Sequence, residues 1–330
     1  MNQKIFPNPC EYVKESCQKV MMASSHVLIN KESIELFVQS ILSNTTFLSF
    51  PSWSESHFPP ETVPFELFLR YVFTIDTLNY CFWPNPPFEY FNLAKNLYDT
   101  LKSNKNFFEI DHLTKITPDN LKASVFKVDF CLLNERARMI REVFTVIEQQ
   151  YNGSCCDFLK KANKCANSLV KLIIDSFPCF RDTAIYKGQQ VFLYKRAQIL
   201  VSDLHLAYRD LVKIQGKTDE NELLNFGESI QELTMFADYR VPQILREKNI
   251  LQYDEQLSNI IDEKKEIPHG SDLEVELRAG TIIAVEDIKN SLKKYGKKVL
   301  SLEIDTYLWE EGEKMKDKIK PAHRTLSIFY

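Results

Sequence analysis

Three short segments of the sequence place an acidic residue beside aromatic residues at a predicted helix start. One runs from Asp76 to Trp83, the second surrounds Asp238, and the third surrounds Asp305. A carboxylate in such a position can stabilise positive charge, or it can orient and deprotonate a water molecule. These segments are therefore the first candidates for a chemical function.

The same pattern also has a purely structural interpretation. An acid just ahead of a helix accepts hydrogen bonds from the first backbone N–H groups, and Pro242 suits a first helical turn after Asp238. Asp305 can be a cap in the same way, with Thr306 and Glu310 on one helix face. The aromatic residues that follow Asp76 are most simply core residues. Composition does not separate a cap from a catalyst, so both interpretations stay open.

The composition is that of a globular chain with a large core. The 330 residues are 44% hydrophobic and include 23 Phe and 14 Tyr, which is enough for one large domain or two. Only 8 residues are Gly, which disfavours phosphate-binding loops and tight β-hairpins. The net charge of -4 argues against long nucleic acid as the main partner, but it allows a basic pocket for one small phosphate.

Metal, cofactor and membrane functions are not indicated. The 8 Cys include no C-x-x-C pair and the 6 His have no metal-ligand spacing, so we expect neither a metal nor another cofactor. Gly216-Lys217-Thr218 is similar to the end of a phosphate loop, but Leu211 stands where its first Gly should be. No apolar run approaches ~18 residues. Residues 1–10 have no signal-peptide core, so we expect a cytoplasmic protein in a reducing compartment.

Apolar residues recur at helical spacing along most of the chain, which predicts a mostly α fold with a few minor strands. Residues 1–60 are expected to form a leader with one or two helices, and residues 61–330 a helical region. The polar stretch 214–229 is the best candidate for a junction between two lobes. Weak strand signals lie near Val191 and at 325–329. Helices are predicted from 65 onward and at 132–148, 154–177, 191–208, 241–247, 253–263, 272–294 and 306–316.

Five sequence blocks, met in order along the chain, resemble the successive signatures of the queuosine salvage protein family. The blocks are Asp76-Thr77-Leu78-Asn79 with Phe82-Trp83, Ser176-Phe177-Pro178 with Arg181-Asp182, Tyr194-Lys195-Arg196-Ala197-Gln198-Ile199-Leu200, Phe236-Ala237-Asp238-Tyr239-Arg240 with Pro242-Gln243, and Glu274-Val275-Glu276-Leu277-Arg278. They cover roughly residues 50–330, and together they are far more specific than any one block. The chain has Thr306, Tyr307 and Glu310 where the family pattern has two aromatic residues after the late Asp and an Asp at the end.

The resemblance implies an activity and a fold. The members of that family are helical N-glycosylases that release the base queuine from queuosine 5′-phosphate, so we expect the same hydrolysis here, with queuine salvaged into tRNA modification. At fold level the family resembles the helix-hairpin-helix DNA glycosylases, in which an Asp caps a short helix. The run from Ile304 to Trp309 fits that position. The partner implied is a small nucleotide, without a membrane or long nucleic acid.

The resemblance also implies roles for individual residues. Breaking an N-glycosidic bond builds positive charge on the sugar, which Asp305 is expected to stabilise. Asp238 is expected to accept N–H donors from the base edge, with Phe236 stacking on the base and Tyr239 as a further contact. The other expected contacts are Thr306, Glu310 and His57 for the diol and amine of the base side arm, and Lys195, Arg196 and Arg240 for the 5′-phosphate.

Two other functions stay open from the sequence. An enzyme of the same fold could act on nucleic acid, which the negative net charge disfavours. The chain could also be a non-catalytic helical scaffold that binds a nucleobase. A purely capping role for both Asp238 and Asp305 would favour the scaffold.

Overall fold

The computed structural model describes residues 8–43, 53–57, 63–84 and 88–330. This part of the chain is mostly α-helical with a few short strands, as the sequence predicts. The α-helices are α1 (Pro9–Ala23), α2 (Lys31–Ser43), α3 (Trp53–His57), α4 (Phe65–Leu78), α5 (Tyr90–Ser103), α6 (Ile110–Leu113), α7 (Pro118–Leu121), α8 (Leu133–Tyr151), α9 (Cys155–Lys160), α10 (Ala166–Ser176), α11 (Lys195–Gln215), α12 (Arg240–Glu247), α13 (Glu255–Asp262), α14 (Asp272–Lys294) and α15 (Ser301–Met315). None of these described helices combines the length and the apolar character needed to cross a bilayer.

Two antiparallel two-stranded sheets fasten segments of the chain together. β1 (Val27–Ile29) pairs with β4 (Leu251–Tyr253), which joins the N-terminal segment to the last third of the chain. β2 (Thr183–Tyr186) and β3 (Gln189–Phe192) form a hairpin just ahead of α11. The Lys187-Gly188 turn has φ angles of 47° and 80°, and two positive φ angles are characteristic of a type I′ turn.

α14 is the central helix of the fold. Most of its side chains are buried, including the charged Glu274 and Arg278. It begins after Ser271, whose hydroxyl accepts the backbone N–H of Glu274 at 3.4 Å. Gly280 permits a close approach of β1, because a Cβ at this position would lie 2.9 Å from Val27 Cγ1.

A buried ion pair between Arg278 of α14 and Asp182 connects α14 to two other segments of the chain. Arg278 donates from Nη1 and Nη2 to the Asp182 carboxylate at 2.9 and 2.6 Å, and both side chains are buried. The same guanidinium donates from Nε to the Ala237 carbonyl at 3.1 Å. The Asp182 carboxylate also accepts the backbone N–H of Lys195, the first residue of α11, at 3.1 Å. The pair therefore holds the loop that carries Asp238 close to the start of α11.

Several predicted elements are confirmed. The helix predicted at 132–148 is α8, and the helix predicted at 272–294 is α14. The strand signal near Val191 is confirmed as β3. The helix predicted from the same residue begins only at Lys195, because the chain first completes the hairpin.

Two predicted elements are wrong. The helix predicted at 154–177 is broken into α9 and α10, because Asn163 and Lys164 adopt the left-handed conformation, with φ angles of 49° and 56°. The strand predicted at 325–329 does not form. In the described chain that segment has no neighbouring strand to pair with, and an isolated bridge at Arg324 precedes it.

The last helix begins earlier than predicted. α15 starts at Ser301 rather than at 306, so that Asp305 lies inside the helix and not ahead of it. Asp305 therefore does not cap this helix, which corrects the structural interpretation of that residue.

The two predicted domain boundaries, near residue 60 and at 214–229, lie in parts of the chain with different secondary structure. The described part of residues 1–60 contains α1, α2, β1 and α3. The stretch 214–229 is irregular beyond the end of α11, with a short 3-10 segment at Asn221–Leu224. Asn221 and Leu224 are both buried. The division into two lobes at this stretch stays a prediction.

The buried ion pair on α14 makes a stability prediction. Arg278→Met should leave the Asp182 carboxylate buried without its cation and lower the free energy of unfolding by about 3–5 kcal/mol. Arg138→Met is the matched control, because Arg138 is a half-exposed residue paired with Glu135 and Glu142 at 2.8 Å. That change should cost less than about 1 kcal/mol. Urea denaturation measures the free energy of unfolding of both variants. Equal losses in the two would show that the buried Arg278 pair stabilises the fold no more than the exposed Arg138 pair does.

Candidate active site

A cleft between α3, α11 and α15 contains most of the residues singled out from the sequence. Its empty volume, with the open mouth included, is about 990 Å³. This is in the size range of sites that bind small molecules. The cleft is lined by Trp53, His57, Asn79, Tyr80, Phe82, Tyr90, Lys195, Ile199, Ser202, Asp203, Leu206, Phe236, Asp238, Tyr239, Asp305, Thr306, Trp309, Glu310 and Tyr330.

Helical periodicity explains why distant residues share the cleft wall. On α11, Lys195, Ile199 and Asp203 follow one another at four-residue intervals, so all three project from one face. On α15, Asp305 and Trp309 are related in the same way. Both faces line the same cleft.

Asp238 is both a helix cap and a cleft residue. Its Oδ1 accepts the backbone N–H groups of Arg240 at 2.9 Å and Val241 at 3.0 Å, which confirms the capping interpretation. Desolvation in the cleft raises the pKa of the carboxyl, while Lys195 and these two N–H groups oppose that shift. Its carboxyl lines the cleft as well, so capping does not exclude a chemical role.

Asp305 projects into the cleft from the second turn of α15 and is almost fully buried. Its Oδ1 accepts the backbone N–H of Phe236 at 3.2 Å, which ties α15 to the loop that carries Asp238. Burial raises the pKa of Asp305 well above its ordinary value, and the neighbouring Asp238 charge raises it further. Lys195 and the Phe236 N–H act in the opposite direction.

Lys195 lies between the two acids and is almost fully buried. Its Nζ donates to the Asn79 carbonyl at 3.2 Å. Burial lowers the pKa of the ammonium to about 8, although the carboxylates of Asp238 and Asp305 favour the charged form. Two acids and one amine with shifted pKa values in one cleft are typical of a functional site.

The other predicted contacts on the loop and on α15 also line the cleft. Phe236 and Tyr239 flank Asp238. Thr306 lies on α15 with its hydroxyl donating to the Leu302 carbonyl at 2.9 Å. Glu310 lies one turn further along the same helix and is paired only loosely with Lys314, at 3.8 Å.

His57 enters the cleft from α3. Its ring stacks on Trp53 at 4.6 Å between ring centroids, and its Nδ1 lies 2.9 Å from the Trp53 carbonyl oxygen. The other ring nitrogen, Nε2, lies 3.2 Å from Oδ2 of Asp203 on α11. Tyr90 packs edge-on against the same ring at 5.5 Å. His57 is thus part of an aromatic end of the cleft.

Arg196 and Arg240, both predicted to bind phosphate, do not line the cleft. Arg196 is buried behind it and donates to main-chain carbonyls, including that of Thr77 at 2.8 Å. Arg240 donates at 2.6 Å to Glu313 and also at 2.6 Å to Gln243. These contacts use the guanidinium groups structurally, and the phosphate roles of Arg196 and Arg240 stay predictions.

Some cleft residues were not predicted to bind substrate. Asp203 has a local signal, since it lies eight residues after Lys195 on a predicted helix and therefore on the same face. Trp53 and Tyr90 have no such signal, because only the tertiary fold brings α3 and α5 to the cleft. No group of three or more His, Cys, Asp or Glu within the described ranges could hold a metal ion.

The raised pKa of Asp305 predicts a pH-dependent stability. A carboxyl whose pKa is higher in the folded state binds more protons there, so its stabilising effect is lost as the pH rises. Asp305→Asn removes this titration and retains an oxygen that can accept the Phe236 N–H. The variant should therefore gain stability relative to the unmodified chain as the pH rises above about 4, the ordinary pKa of an Asp carboxyl. Urea denaturation at several pH values measures the free energy of unfolding of both proteins. A difference between them that does not change with pH would contradict the prediction.

Comparison with known proteins identifies the family to which the chain belongs. The family model described as queuosine salvage protein matches residues 59–330. A Dictyostelium discoideum protein named queuosine 5′-phosphate N-glycosylase/hydrolase is 41% identical over 98% of this chain and 100% of its own length. Proteins of the same name from Sphaerobacter thermophilus and Mus musculus are 33% and 27% identical, each over 96% of this chain and over 97% and 98% of their own lengths. The chain therefore belongs to the queuosine salvage protein family.

Proposed function

We propose that this chain hydrolyses the N-glycosidic bond of queuosine 5′-phosphate and releases queuine, which can then be salvaged into tRNA modification. The observation that carries the proposal is one cleft in which the half-buried Asp238 and the buried Asp305 lie with Lys195 and Phe236. The names of the relatives, which extend over nearly the whole chain, support the same reaction.

Asp305 stabilises the sugar during bond cleavage. The transition state carries positive charge on the sugar ring, as in an oxocarbenium ion. A carboxylate that is removed from water interacts strongly with such a charge. The free energy that disfavours the ionised form of Asp305 in the empty cleft is therefore offset when the cation develops.

The Asp305 carboxyl acts first as the acid and then as the base of the reaction. The C1′–N9 bond breaks with its electron pair going to the base, and N9 takes a proton from the Asp305 carboxyl, whose pKa burial raises. Water then bonds through its oxygen to C1′, and the Asp305 carboxylate takes the proton that the water releases. The products are queuine and ribose 5-phosphate.

Asp238 and Phe236 recognise the base. Queuine is a 7-deazapurine and lacks the N7 that a purine can protonate as it leaves, so hydrogen bonds elsewhere on the ring must assist its departure. The guanine-like edge offers N–H donors, which a carboxylate accepts in pairs. One Asp238 oxygen is used by the cap of α12, and the carboxyl also lines the cleft beside Phe236 and Tyr239.

Lys195 binds the 5′-phosphate, and Thr306, Glu310 and His57 contact the diol and amine of the base side arm. Among the described residues that line the cleft, the basic ones are Lys195 and His57. Lys195 is the better phosphate ligand because its Nζ forms no ion pair with any described carboxylate, whereas His57 Nε2 lies 3.2 Å from Asp203 Oδ2. A cleft with so few cations suits a nucleotide better than a long nucleic acid strand.

The first test is activity on the proposed substrate. The purified chain should convert queuosine 5′-phosphate to queuine and ribose 5-phosphate, with or without a metal chelator. Asp305→Asn should lower kcat at least ~100-fold while retaining queuine binding. Asp238→Asn should instead weaken queuine binding, since its amide presents a donor where the base also donates. Normal turnover by the first variant and normal binding by the second would show that neither acid belongs to the active site.

The second test concerns Lys195 and the phosphate. Because burial lowers the pKa of Lys195 to about 8, the positive charge is lost as the pH rises through that value. KM for queuosine 5′-phosphate should therefore rise above pH 8, more than KM for the unphosphorylated nucleoside. Lys195→Arg should remove this difference, because Arg stays charged, and Lys195→Ala should raise KM selectively for the phosphorylated substrate. Equal effects on both substrates would exclude the phosphate role.

A further inference from the structure

The cleft has a second acidic group at some distance from Asp238 and Asp305. Asp203 lies on the same face of α11 as Lys195 but eight residues further on, which is about 12 Å along a helix axis. Its side chain lines the cleft and is only 9% exposed. None of the described residues donates an aligned hydrogen bond to its Oδ2, even though His57 Nε2 is 3.2 Å away.

Behind Asp203 lies a second acid that never reaches the cleft. Asp76 on α4 is fully buried, and neither of its oxygens accepts a hydrogen bond from the described residues. Burial raises the pKa of Asp76 well above its ordinary value, and the adjacent Asp203 charge raises it further, against the opposing effect of Lys195 and Arg196. This shift favours the neutral carboxyl of Asp76, whose hydroxyl can donate to the adjacent Asp203 carboxylate.

His57 presents its second nitrogen to the same carboxylate. Its Nδ1 faces the Trp53 carbonyl oxygen at 2.9 Å, and since that oxygen can only accept, Nδ1 carries a hydrogen. The Nε2 atom then carries a proton only when the ring is cationic. Asp203 thus lies beside both Asp76 and the His57 ring, and its side chain lines the cleft.

The walls around Asp203 are aromatic. Trp53 stacks on His57, and Tyr90 packs edge-on against both His57 at 5.5 Å and Trp309 at 6.3 Å. A carboxylate among aromatic rings attracts a cation and repels an anion. A phosphate is therefore excluded from this end of the cleft, which suits an ammonium group.

We propose that Asp203 is a specificity-determining residue that binds the ammonium of the arm at position 7 of the deazaguanine base, and that Asp76 is a positioning residue that orients it. This inference rests on the proposed function, because the arm belongs to the proposed substrate. It places the charged arm at the aromatic end of the cleft. The base edge, sugar and phosphate then occupy the end that contains Asp238, Asp305 and Lys195.

Direct binding tests the role of Asp203 without any turnover. Calorimetry should compare queuine, which has the cationic arm, with 7-deazaguanine, which lacks it. Asp203→Asn should weaken queuine binding at least about tenfold, the loss expected when a hydrogen bond to a charged group is removed. The same variant should bind 7-deazaguanine within about twofold of the unmodified chain. Equal losses for both ligands, or no loss for either, would overturn the proposal.

Asp210→Asn provides the matched control. Asp210 is a buried acid on the same helix, seven residues after Asp203, and it is not among the residues that line the cleft. This variant should bind both ligands normally. A selective loss of queuine binding in the control would mean that the effect of Asp203→Asn reflects the charge of the helix and not a contact, which also overturns the proposal.

The positioning role of Asp76 is tested by comparing two replacements. Asp76→Asn retains an N–H donor in place of the hydroxyl and should keep the preference for queuine over 7-deazaguanine. Asp76→Val removes the donor and should lose that preference, while a cooperative thermal melt shows that the chain is folded. If both variants keep the preference, or if both lose it, Asp76 does not act by donating to Asp203. Asp203→Asn, which changes one atom, tests the main proposal even if Asp76→Val does not fold.

These experiments separate failure of this inference from failure of the proposed function. If the unmodified chain binds queuine through Asp203 but does not hydrolyse queuosine 5′-phosphate, the proposed function fails and the subsite stands. If it hydrolyses the nucleotide while Asp203→Asn keeps its preference for queuine, the subsite fails and the function stands. If the unmodified chain does not prefer queuine to 7-deazaguanine, the subsite is overturned.

Discussion

The geometry of the cleft depends on the contact between Arg278 and Asp182. α14 supplies the guanidinium, which binds both oxygens of Asp182 and also the carbonyl of Ala237. Asp182 in turn accepts the N–H at the first residue of α11. One buried pair thus sets the distance between the loop that carries Asp238 and the helix that carries Lys195. Removing two charges from water is costly, and only the full set of hydrogen bonds to Asp182 and Ala237 offsets that cost.

The cleft concentrates groups whose charges are unfavourable in the folded state. Asp238, Asp305 and Lys195 in the cleft, and Asp76 behind it, all have pKa values shifted by burial in the direction of the neutral form. Such an arrangement lowers stability, and it is retained where the charges meet a partner during binding or reaction. The substrate supplies those partners, since it offers an ammonium, a phosphate and a sugar that becomes positive. The cleft is therefore complementary in charge to the reacting nucleotide.

Periodicity and capping chemistry made part of this structure predictable from the sequence. The apolar spacing predicted α8 and α14 closely, and the acid ahead of Pro242 predicted the cap at Asp238. The break between α9 and α10 was not predictable in this way, because the apolar spacing continues across Asn163 and Lys164 while the backbone turns left-handed. Local pattern carries no information on such a change of backbone conformation.

The site residues also differ in how far the sequence alone predicts their positions. Asp238 and Lys195 stand in sequence blocks that a family resemblance could identify, Asp305 is the late Asp of the same family pattern, and all three line the cleft. Arg196 stands in one of those blocks too, but its position on α11 turns it away from the cleft toward buried carbonyls. Asp76 also belongs to a block, yet its contact with Asp203 depends on the packing of α4 against α11. Which face of a helix meets the cleft is decided by tertiary packing, and a motif alone does not specify it.

The central claim is that the sugar of queuosine 5′-phosphate lies against Asp305 while its phosphate lies at Lys195. The most direct measurement is a crystal structure of the Asp305→Asn variant with the intact nucleotide bound. We expect the side-chain oxygen of residue 305 to lie about 3–3.5 Å from C1′, the distance of a reactive geometry, and the phosphate to contact the Lys195 Nζ. A nucleotide bound outside this cleft, or bound in it with C1′ remote from residue 305, would contradict the account.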